Sequence, residues 1–488
     1  MKPILSAAQM KACDQATITS HGVPSLVLME RAALAVTAEI KAQFPDTSTP
    51  VAIICGSGNN GGDGVAIGRM LYLAGYPVQL LVLGNAAHYT TQLQAEIDMA
   101  RSYGVPFVGE CQEFTAPGII VDAIFGIGLS RPVEGQYAHA ITYINSSAAY
   151  TLAVDIPSGF SADTGVMLGA GVQADCTVTF AYEKLCLYLS DCAAAAGRIV
   201  TADVGIYLSS TDDCCTHLFA EDLQFIPRRA KTANKGTCGR VLVIAGSADI
   251  YGACYLSARA AMVAGSGLVK VYTHENNRAA LSVALPEAMY EFYDSFDPAQ
   301  LDSLMSWPDV ILIGPGLSTT DISRQIFEYL VSNVSKPLVI DADGINLLSQ
   351  RLDLLNAITV PVILTPHLKE MSRLCGLSVS EINNSMVDTA DSFAKKYHCS
   401  LVLKNYATVI ACQNHAPYIC TSGNEALATA GSGDVLAGII ASLLGQGLSP
   451  EMAASLGALL HGHSGASASD DTGIRGLLAS DIISHLES

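Results

Sequence analysis

Gly423-Asn424-Glu425-Ala426-Leu427-Ala428-Thr429-Ala430-Gly431-Ser432-Gly433-Asp434 is a run of small residues leading into an apolar stretch, Val435 to Leu444, long enough for a buried helix. The small residues before Asp434 let the backbone turn tightly and aim N–H groups at one spot. A helix starting there adds the positive end of its dipole, so the spot favours an anion such as a phosphoryl group. Asp434 falls in the first turn. A carboxylate there can take a proton from a hydroxyl while the amides hold phosphoryl charge. An ordinary helix start with an acid near the dipole has the same local sequence, so the stretch alone leaves both readings open.

The rest of the chain bounds the answer. Its 488 residues suggest about two to four domains. Half of them are hydrophobic and 15% are charged, which is ample for large cores. A net charge of −19 argues against nucleic acid as a partner, although backbone amides can still bind a nucleotide's phosphates. The 14 cysteines contain no C-x-x-C, and Met1-Lys2-Pro3-Ile4-Leu5 opens no secretory signal, so free thiols in a cytoplasmic protein are expected. The longest apolar runs fall short of the ~18 residues that span a bilayer, so no membrane partner is expected.

In the first half, residues 5–42 read as amphipathic helices, with Ser6 as N-cap and Gly22-Val23-Pro24 as the break. Val51–Cys55 is a short buried strand, followed by the glycine-rich stretch Gly56–Gly64, a helix to Leu73 and a strand from Val78 to Leu83. That order predicts a parallel sheet wrapped by helices. The stretch contains G-x-G-x-x-G, but Gly84-Asn85 after the second strand lacks the acid that holds a ribose in dinucleotide folds. Further strands are expected at Ile119–Val121, Leu152–Val154 and Thr177–Phe180. Ligands in open α/β sheets lie beyond the carboxyl ends of strands, where Asn60, Asp122, Asp155 and Ser158 would converge. Asn60, Asp122 and Ser158 offer oxygens suited to a hard cation. Asp122 or Asp155 alone reads first as a strand-end cap, and it is three loops at equivalent strand ends that favour a site.

Asn59-Asn60-Gly61-Gly62-Asp63-Gly64, the segment Gly126-Ile127-Gly128-Leu129-Ser130-Arg131-Pro132 and Asp155-Ile156-Pro157-Ser158-Gly159 together resemble the NAD(P)H-hydrate epimerase family. Pro24–Arg31 is similar to that family's N-terminal helix. The family interconverts epimers of NADH or NADPH hydrated at carbon 6 of the nicotinamide ring. The resemblance implies that Asn59, Asn60, Gly61, Gly62 and Asp63 contact the hydrated cofactor. It implies the same of Gly126, Ile127, Gly128, Leu129, Ser130, Arg131 and Pro132, and of Asp155. It further implies that Asn60, Asp122 and Ser158 hold a potassium ion, with Asp155 as acid/base residue and Lys184 as a second. The family's Lys-Pro-Gly turn is here Lys184-Leu185-Cys186.

Residues 208–220 lack a clear period and mark the expected domain join. Beyond it, Arg228-Arg229 to Lys235 is basic, either an anion-facing lip or a solvated run. Strand-like runs at Val241–Ile244, Val310–Ile313, Leu338–Ile340, Val362–Leu364 and Leu401–Leu403 follow. If these strands are parallel, Gly316, Asp343, His367 and Lys404 share one rim facing Gly431–Asp434. A lone His367 more often plays a structural part. His461-Gly462-His463 lacks the spacing of a metal-binding helix and reads as packing. There is no Walker A motif.

Gly246-Ser247, Tyr251-x-Gly-Ala, Gly314-Pro-Gly-Leu, Asp341-Ala-Asp, Thr365-Pro-His-x-x-Glu370 and Ala-Thr-Ala-Gly-Ser-Gly-Asp434 look like the ADP-dependent NAD(P)H-hydrate dehydratase branch of the ribokinase-like fold. Together the resemblances imply an N-terminal Rossmann-like three-layer αβα domain (1–215) and a ribokinase-like α/β domain (222–488), in the order of the bifunctional repair fusion. They imply NADHX, NADPHX and ADP as small-molecule partners, magnesium on the phosphates, and a homo-oligomer. Asp434 would be the base, and the amides of Gly431, Ser432 and Gly433 the anion hole. Lys404, Asn405, Tyr406, Ala407, Thr408 and Gly433 would bind the adenine nucleotide, while Ala253, Gly316 and His367 would contact the hydrated cofactor. The family's Asn-Pro-Gly-Met is here Asn424-Glu425-Ala426-Leu427, so Glu425 would repel a nucleotide if it faced inward. Two other readings are a ribokinase-like kinase for another small hydroxyl compound and a nucleotide-binding sensor without turnover.

Overall fold

The computed structural model describes residues 1–211 and 214–486; Asp212 and Asp213 of the expected join, and Glu487 and Ser488, lie outside the described residues. The chain divides into two compact units, Pro3–Cys214 and Met1–Lys2 with Cys215–Ser488.

In the first unit, strands β2 (Val51–Cys55), β3 (Val78–Val82), β4 (Ile119–Ala123), β5 (Tyr150–Val154), β6 (Cys176–Phe180) and β8 (Arg198–Ala202) form one sheet in the order β3-β2-β4-β5-β6-β8. Every pairing in it is parallel. Short strands β1 (Lys2–Leu5) and β7 (Glu183–Lys184) lie outside this sheet and pair in parallel with each other, with Leu5 opposite Lys184. β2 is buried at all its positions, as an unbroken apolar run must be when helices cover both faces. The faces are distinct. Ile53, Cys55 and Val121 pack with helices Ser25–Gln43 and Asn59–Leu73, whereas Ala52, Ile54 and Ile120 pack with helix Gly135–Ser146. This is the expected three-layer αβα arrangement. Ser6 caps helix Ala7–Thr19 in a full capping box with Gln9.

Two local expectations shift. Helix Asn59–Leu73 begins inside the glycine-rich stretch, so Asn59 to Asp63 form its first turns rather than a loop. Gly56 makes this entry possible: a Cβ there would stand 2.0 Å from the Ile124 carbonyl oxygen. β4 also runs on to Ala123, which puts Asp122 in the strand opposite Ala153. The order of strands reverses between β2 and β4, the crevice where such sheets bind ligands.

The second unit adds β9 (Cys215–Leu218), β10 (Arg240–Ile244), β11 (Leu268–His274), β12 (Met289–Tyr293), β13 (Val310–Ile313), β14 (Leu338–Ile340), β15 (Val362–Leu364), β16 (Ser400–Leu403), β17 (Thr408–Cys412) and β18 (His415–Cys420). They run in the order β12-β11-β10-β13-β14-β15-β16-β17-β18-β9. β12 through β16 are parallel, and β17 and β18 turn back as antiparallel strands. β9 falls in the stretch that lacks a sequence period; it is specified by pairing with β18, not by its own pattern. Helix Ser432–Gly445 is buried at every position from Val435 to Leu444 and packs with helix Gly252–Val263. Gly438 permits that contact, since a Cβ would meet the Ser257 carbonyl oxygen at 2.2 Å. Among the described residues no helix is long and apolar enough to cross a membrane.

Candidate active sites

In the first unit, Asp155 follows directly on β5, its backbone held at φ 71, a region non-glycine residues rarely adopt. Lys184, 1% exposed, donates to Asp155 Oδ1 at 2.6 Å, to Thr179 Oγ1 at 2.9 Å and to the Phe180 carbonyl at 2.9 Å. All three ammonium protons therefore have acceptors. The other carboxylate oxygen faces Gly126: a Cβ there would lie 3.3 Å from Asp155 Oδ2 and 3.2 Å from Asn60 Oδ1. Asn60, Gly126, Asp155 and Lys184 thus meet as the sequence implied. Gly128, Ser130, Arg131 and Pro132 are exposed, and the structure does not bring their side chains into this cluster.

Asp122 is fully buried beside it. Ser158 donates to it twice, from Oγ at 2.6 Å and from N at 2.8 Å, and the Ser158 hydroxyl also lies 3.2 Å from the Phe125 carbonyl. Burial pushes the Asp122 carboxyl up to about 6 against the pull of these hydrogen bonds. Asn60 Nδ2 is buried without a hydrogen-bond partner, a costly arrangement unless something else occupies that place.

Asp14 and Thr179, which the sequence reading passed over, and Asp63, which it named, complete this site. Burial and then Asp155 raise the Asp14 carboxyl, and burial raises Asp63 well above the usual carboxylate range, with Asp155, Glu96 and Asp14 adding to it. Asp14 adjoins the buried stripe Met10, Cys13 and Thr17 of its helix, and an acid beside such a stripe was the available signal. Thr179 looked like one more β-branched residue in a buried strand.

In the second unit, polar and charged side chains stand at the carboxyl ends of neighbouring strands: Asp341 after β14, Thr365 after β15 and Lys404 after β16. Asp341 Oδ1 accepts from Lys404 Nζ at 3.0 Å and from Thr365 Oγ1 at 2.6 Å. Gly431 is the N-cap of helix Ser432–Gly445 at φ 87, no side chain caps that helix, and of its first amides Ser432 N makes a long 3.4 Å bond to the Thr429 carbonyl, so the turn can offer N–H groups to a ligand. A Cβ on Gly433 would lie 3.3 Å from Lys404 Nζ, which puts the ammonium against the same turn. Asp434 sits in this turn. Burial raises its carboxyl to about 7, with Asp341, Asp343 and Glu370 adding to the effect and Lys404 opposing it.

His461 does more than pack. It is buried, its Nε2 lies 3.1 Å from Ser432 Oγ, and burial pushes it down to about 4, so it holds the anion loop as a neutral imidazole. His367 Nδ1 caps helix Leu368–Cys375 while Glu370 accepts from the His367 amide at 2.9 Å, so His367 has the structural part its type favours and still exposes half its ring. Gly316 and Ala253 are brought together: a Cβ at Gly316 would lie 3.0 Å from Ala253 Cβ. In the segment after β16, Asn405 bonds Asn383 at 3.0 Å, Ala407 is buried, and Tyr406 is exposed. Glu425 faces solvent, and Asn424 caps its turn by accepting from Ala426 N, replacing the family's Pro-Gly geometry. Asp341 is the residue the sequence reading undervalued, because only the strand order shows it two strands from Lys404 with Thr365 on the strand between them.

Comparison with known proteins agrees with this geometry. A family profile described as YjeF-related protein N-terminus matches residues 25–186, and one described as NAD(P)H-hydrate dehydratase matches residues 241–488. A bifunctional NAD(P)H-hydrate repair enzyme of Moorella thermoacetica is 36% identical across 99% of this chain and 96% of its own length. An NAD(P)H-hydrate epimerase of Limosilactobacillus fermentum is 46% identical over 42% of this chain and 98% of its own. The crystal structure of a Bacillus subtilis ADP/ATP-dependent NAD(P)H-hydrate dehydratase, co-crystallised with ATP and Mg2+, superposes with TM-score 0.51 at 30% identity, covering 56% of this chain and 96% of that one. With a full-length relative and both profiles in one order on one chain, this protein belongs to the bifunctional NAD(P)H-hydrate repair enzyme family.

Proposed function

We propose that the chain repairs hydrated NADH and NADPH in two steps, with residues 1–215 interconverting the R and S hydrates and residues 222–488 dehydrating the S hydrate at the expense of ADP. The observation that carries this reading is the uncapped first turn at Gly431–Asp434, with the Lys404 ammonium against it and Asp434 within it.

Hydroxide is a poor leaving group at neutral pH, so the ring hydroxyl must first be made a better one. Asp434 takes the hydroxyl proton as the ring oxygen bonds to the terminal phosphorus of ADP. The bond from that phosphorus to the bridging oxygen breaks, and its electron pair leaves with AMP. The amides of Ser432 and Gly433 and the Lys404 ammonium hold the charge on the phosphoryl oxygens. Phosphate then departs with the carbon–oxygen electron pair, a proton leaves the neighbouring ring carbon, and the double bond returns. Bound magnesium would supply further neutralisation of phosphate charge. Ala253, Gly316 and the exposed edge of His367 would line the hydrated ring, and Lys404 to Thr408 the nucleotide.

In the first unit Asp155 and Lys184 form the acid/base pair for epimerisation, since their bond gives a proton a direct path between them. Asp122, Ser158 and the Phe125 carbonyl present an oxygen-rich, buried cluster, and turning the unpartnered Asn60 amide would add its oxygen. These residues fit a potassium ion, which would supply compensation for the buried Asp122 charge.

The test supplies a mixed-epimer preparation of hydrated NADH with magnesium and ADP and follows NADH by its near-ultraviolet absorbance. Full recovery supports both steps. Recovery that stops at the S fraction removes the epimerase reading, and no recovery with ADP or ATP removes the dehydratase reading.

A further inference from the structure

We infer that Asp341 is the positioning residue for phosphoryl transfer: it holds the Lys404 ammonium against the Gly431–Asp434 turn and so keeps that lysine from pairing with the base. The inference rests on the dehydratase reading above. Consecutive strands β14, β15 and β16 each deliver one residue to the same rim, and the contacts are tight. One oxygen, Asp341 Oδ1, takes both the Lys404 ammonium at 3.0 Å and the Thr365 hydroxyl at 2.6 Å. Asp341 is 1% exposed and Thr365 0%, so water does not compete for the bond between them, while the Lys404 side chain stays partly open to solvent, as a group that meets a ligand must. Thr365 thereby locks the carboxylate in rotation, and the carboxylate locks the lysine.

The consequence lies at the far end of the lysine. Its ammonium stands 3.3 Å from where a Gly433 Cβ would be, beside the amides that face the phosphoryl group. Burial works against the Lys404 charge, but Asp341 and then Glu370 outweigh it and keep the group a cation. Asp434, by contrast, has its burial-raised proton affinity increased by Asp341, Asp343 and Glu370, and lowered by Lys404 alone among these charges. Other titratable neighbours are the buried Cys254 thiol, neutral His461, which reaches the turn through Ser432, His367, on which Lys404 and Asp341 both act, and Arg373, which acts on Glu370. One carboxylate binds the lysine so that the other remains a base.

The test uses the full chain with S-hydrated NADH, ADP and magnesium, comparing wild type, Asp341→Asn, Lys404→Met, their double variant and Thr365→Val. Epimerase rate serves as the control for intact protein. Asp341→Asn is expected to lower kcat about 10²-fold, the scale of an ångström-level misplacement of a reacting group. In the Lys404→Met background the same substitution is expected to cost less than about twofold, because its effect runs through the lysine. Removing a like charge should also move the acid limb of the Asp341→Asn pH profile to lower pH. Thr365→Val keeps both charges and is expected to lower kcat several-fold with the acid limb unmoved. Should Asp341→Asn fail to fold, Thr365→Val decides by the same criterion. Equal losses from Asp341→Asn in both backgrounds, or wild-type kcat in Thr365→Val, would overturn the inference. A wild-type chain that regenerates no NADH overturns the dehydratase reading itself, a separate outcome.

Discussion

Both units place an aspartate and a lysine at the carboxyl ends of parallel strands, yet they connect them differently. In the first, Lys184 bonds the acid/base candidate Asp155 directly at 2.6 Å. In the second, Lys404 bonds Asp341 at 3.0 Å, and the base candidate Asp434 is left among like charges with its carboxyl raised to about 7. The difference suits the two chemistries. Epimerisation needs a proton to move and return, which a bonded acid–base pair can do within itself. Phosphoryl transfer needs a cation on the phosphoryl oxygens and a separate base on the hydroxyl, and a direct lysine–base pair would neutralise both.

The sharpest break in this comparison comes from Asp434→Asn. It removes the base while leaving the anion turn intact, so dehydration is expected to fall about 10²–10⁴-fold with epimerisation unchanged. Separate assays on the S hydrate and on the epimer mixture check it. Lys184→Met is the counterpart in the first unit. It leaves Asp155 without its buried partner, so epimerisation should fall and that unit should lose about 3–5 kcal/mol of stability, read from its thermal or urea transition. Dehydration of pure S hydrate should persist wherever the second unit stays folded.

A pH series sharpens the contrast further. Burial, then Asp341, raises the Asp434 carboxyl, so it stays protonated at pH values where free carboxylates are ionised. The base form is lost as pH falls through about 7, and kcat/KM for dehydration is expected to drop about tenfold per pH unit below that point. A profile flat from pH 5 to 8 would mean that Asp434 is not the base. Ser158→Ala should have a smaller effect. Asp122 would lose its shortest bond, costing the first unit about 1–3 kcal/mol and weakening any potassium stimulation of epimerisation, with dehydration unaffected. The smallest effect is expected at Glu425. Because it faces solvent, Glu425→Ala should change the KM for ADP by less than about twofold.

Much of both sites was legible because small residues and acids occupy strand ends in a chain-local pattern. Gly431–Asp434 announces itself by type and spacing, since a helix that starts uncapped after glycine needs only its own sequence, whereas the roles of Asp155 and Lys184 came from the family resemblance. Other residues carried no local signal. Thr179 and Thr365 look like ordinary strand positions, and their hydroxyls gain meaning only from the charged partners that a neighbouring strand or turn brings within reach. Helix Asn59–Leu73 began earlier than its glycines suggested, because packing against Ile124 and Met29 outweighs the low helix propensity of glycine. The β9 strand was missed because its pairing with β18, not an alternation of its own, holds it.

The sequence by itself determined the central buried strands, the start of helix Ser432–Gly445, the family and the residue types at the candidate positions, because these depend on short-range periodicity and on side-chain chemistry. Only the tertiary structure decided which lysine pairs with which aspartate. That choice depends on strand order and on whether a third side chain, Thr365 in one unit and Thr179 in the other, stands within hydrogen-bond distance, and residues separated by dozens of positions meet only when the sheet is assembled.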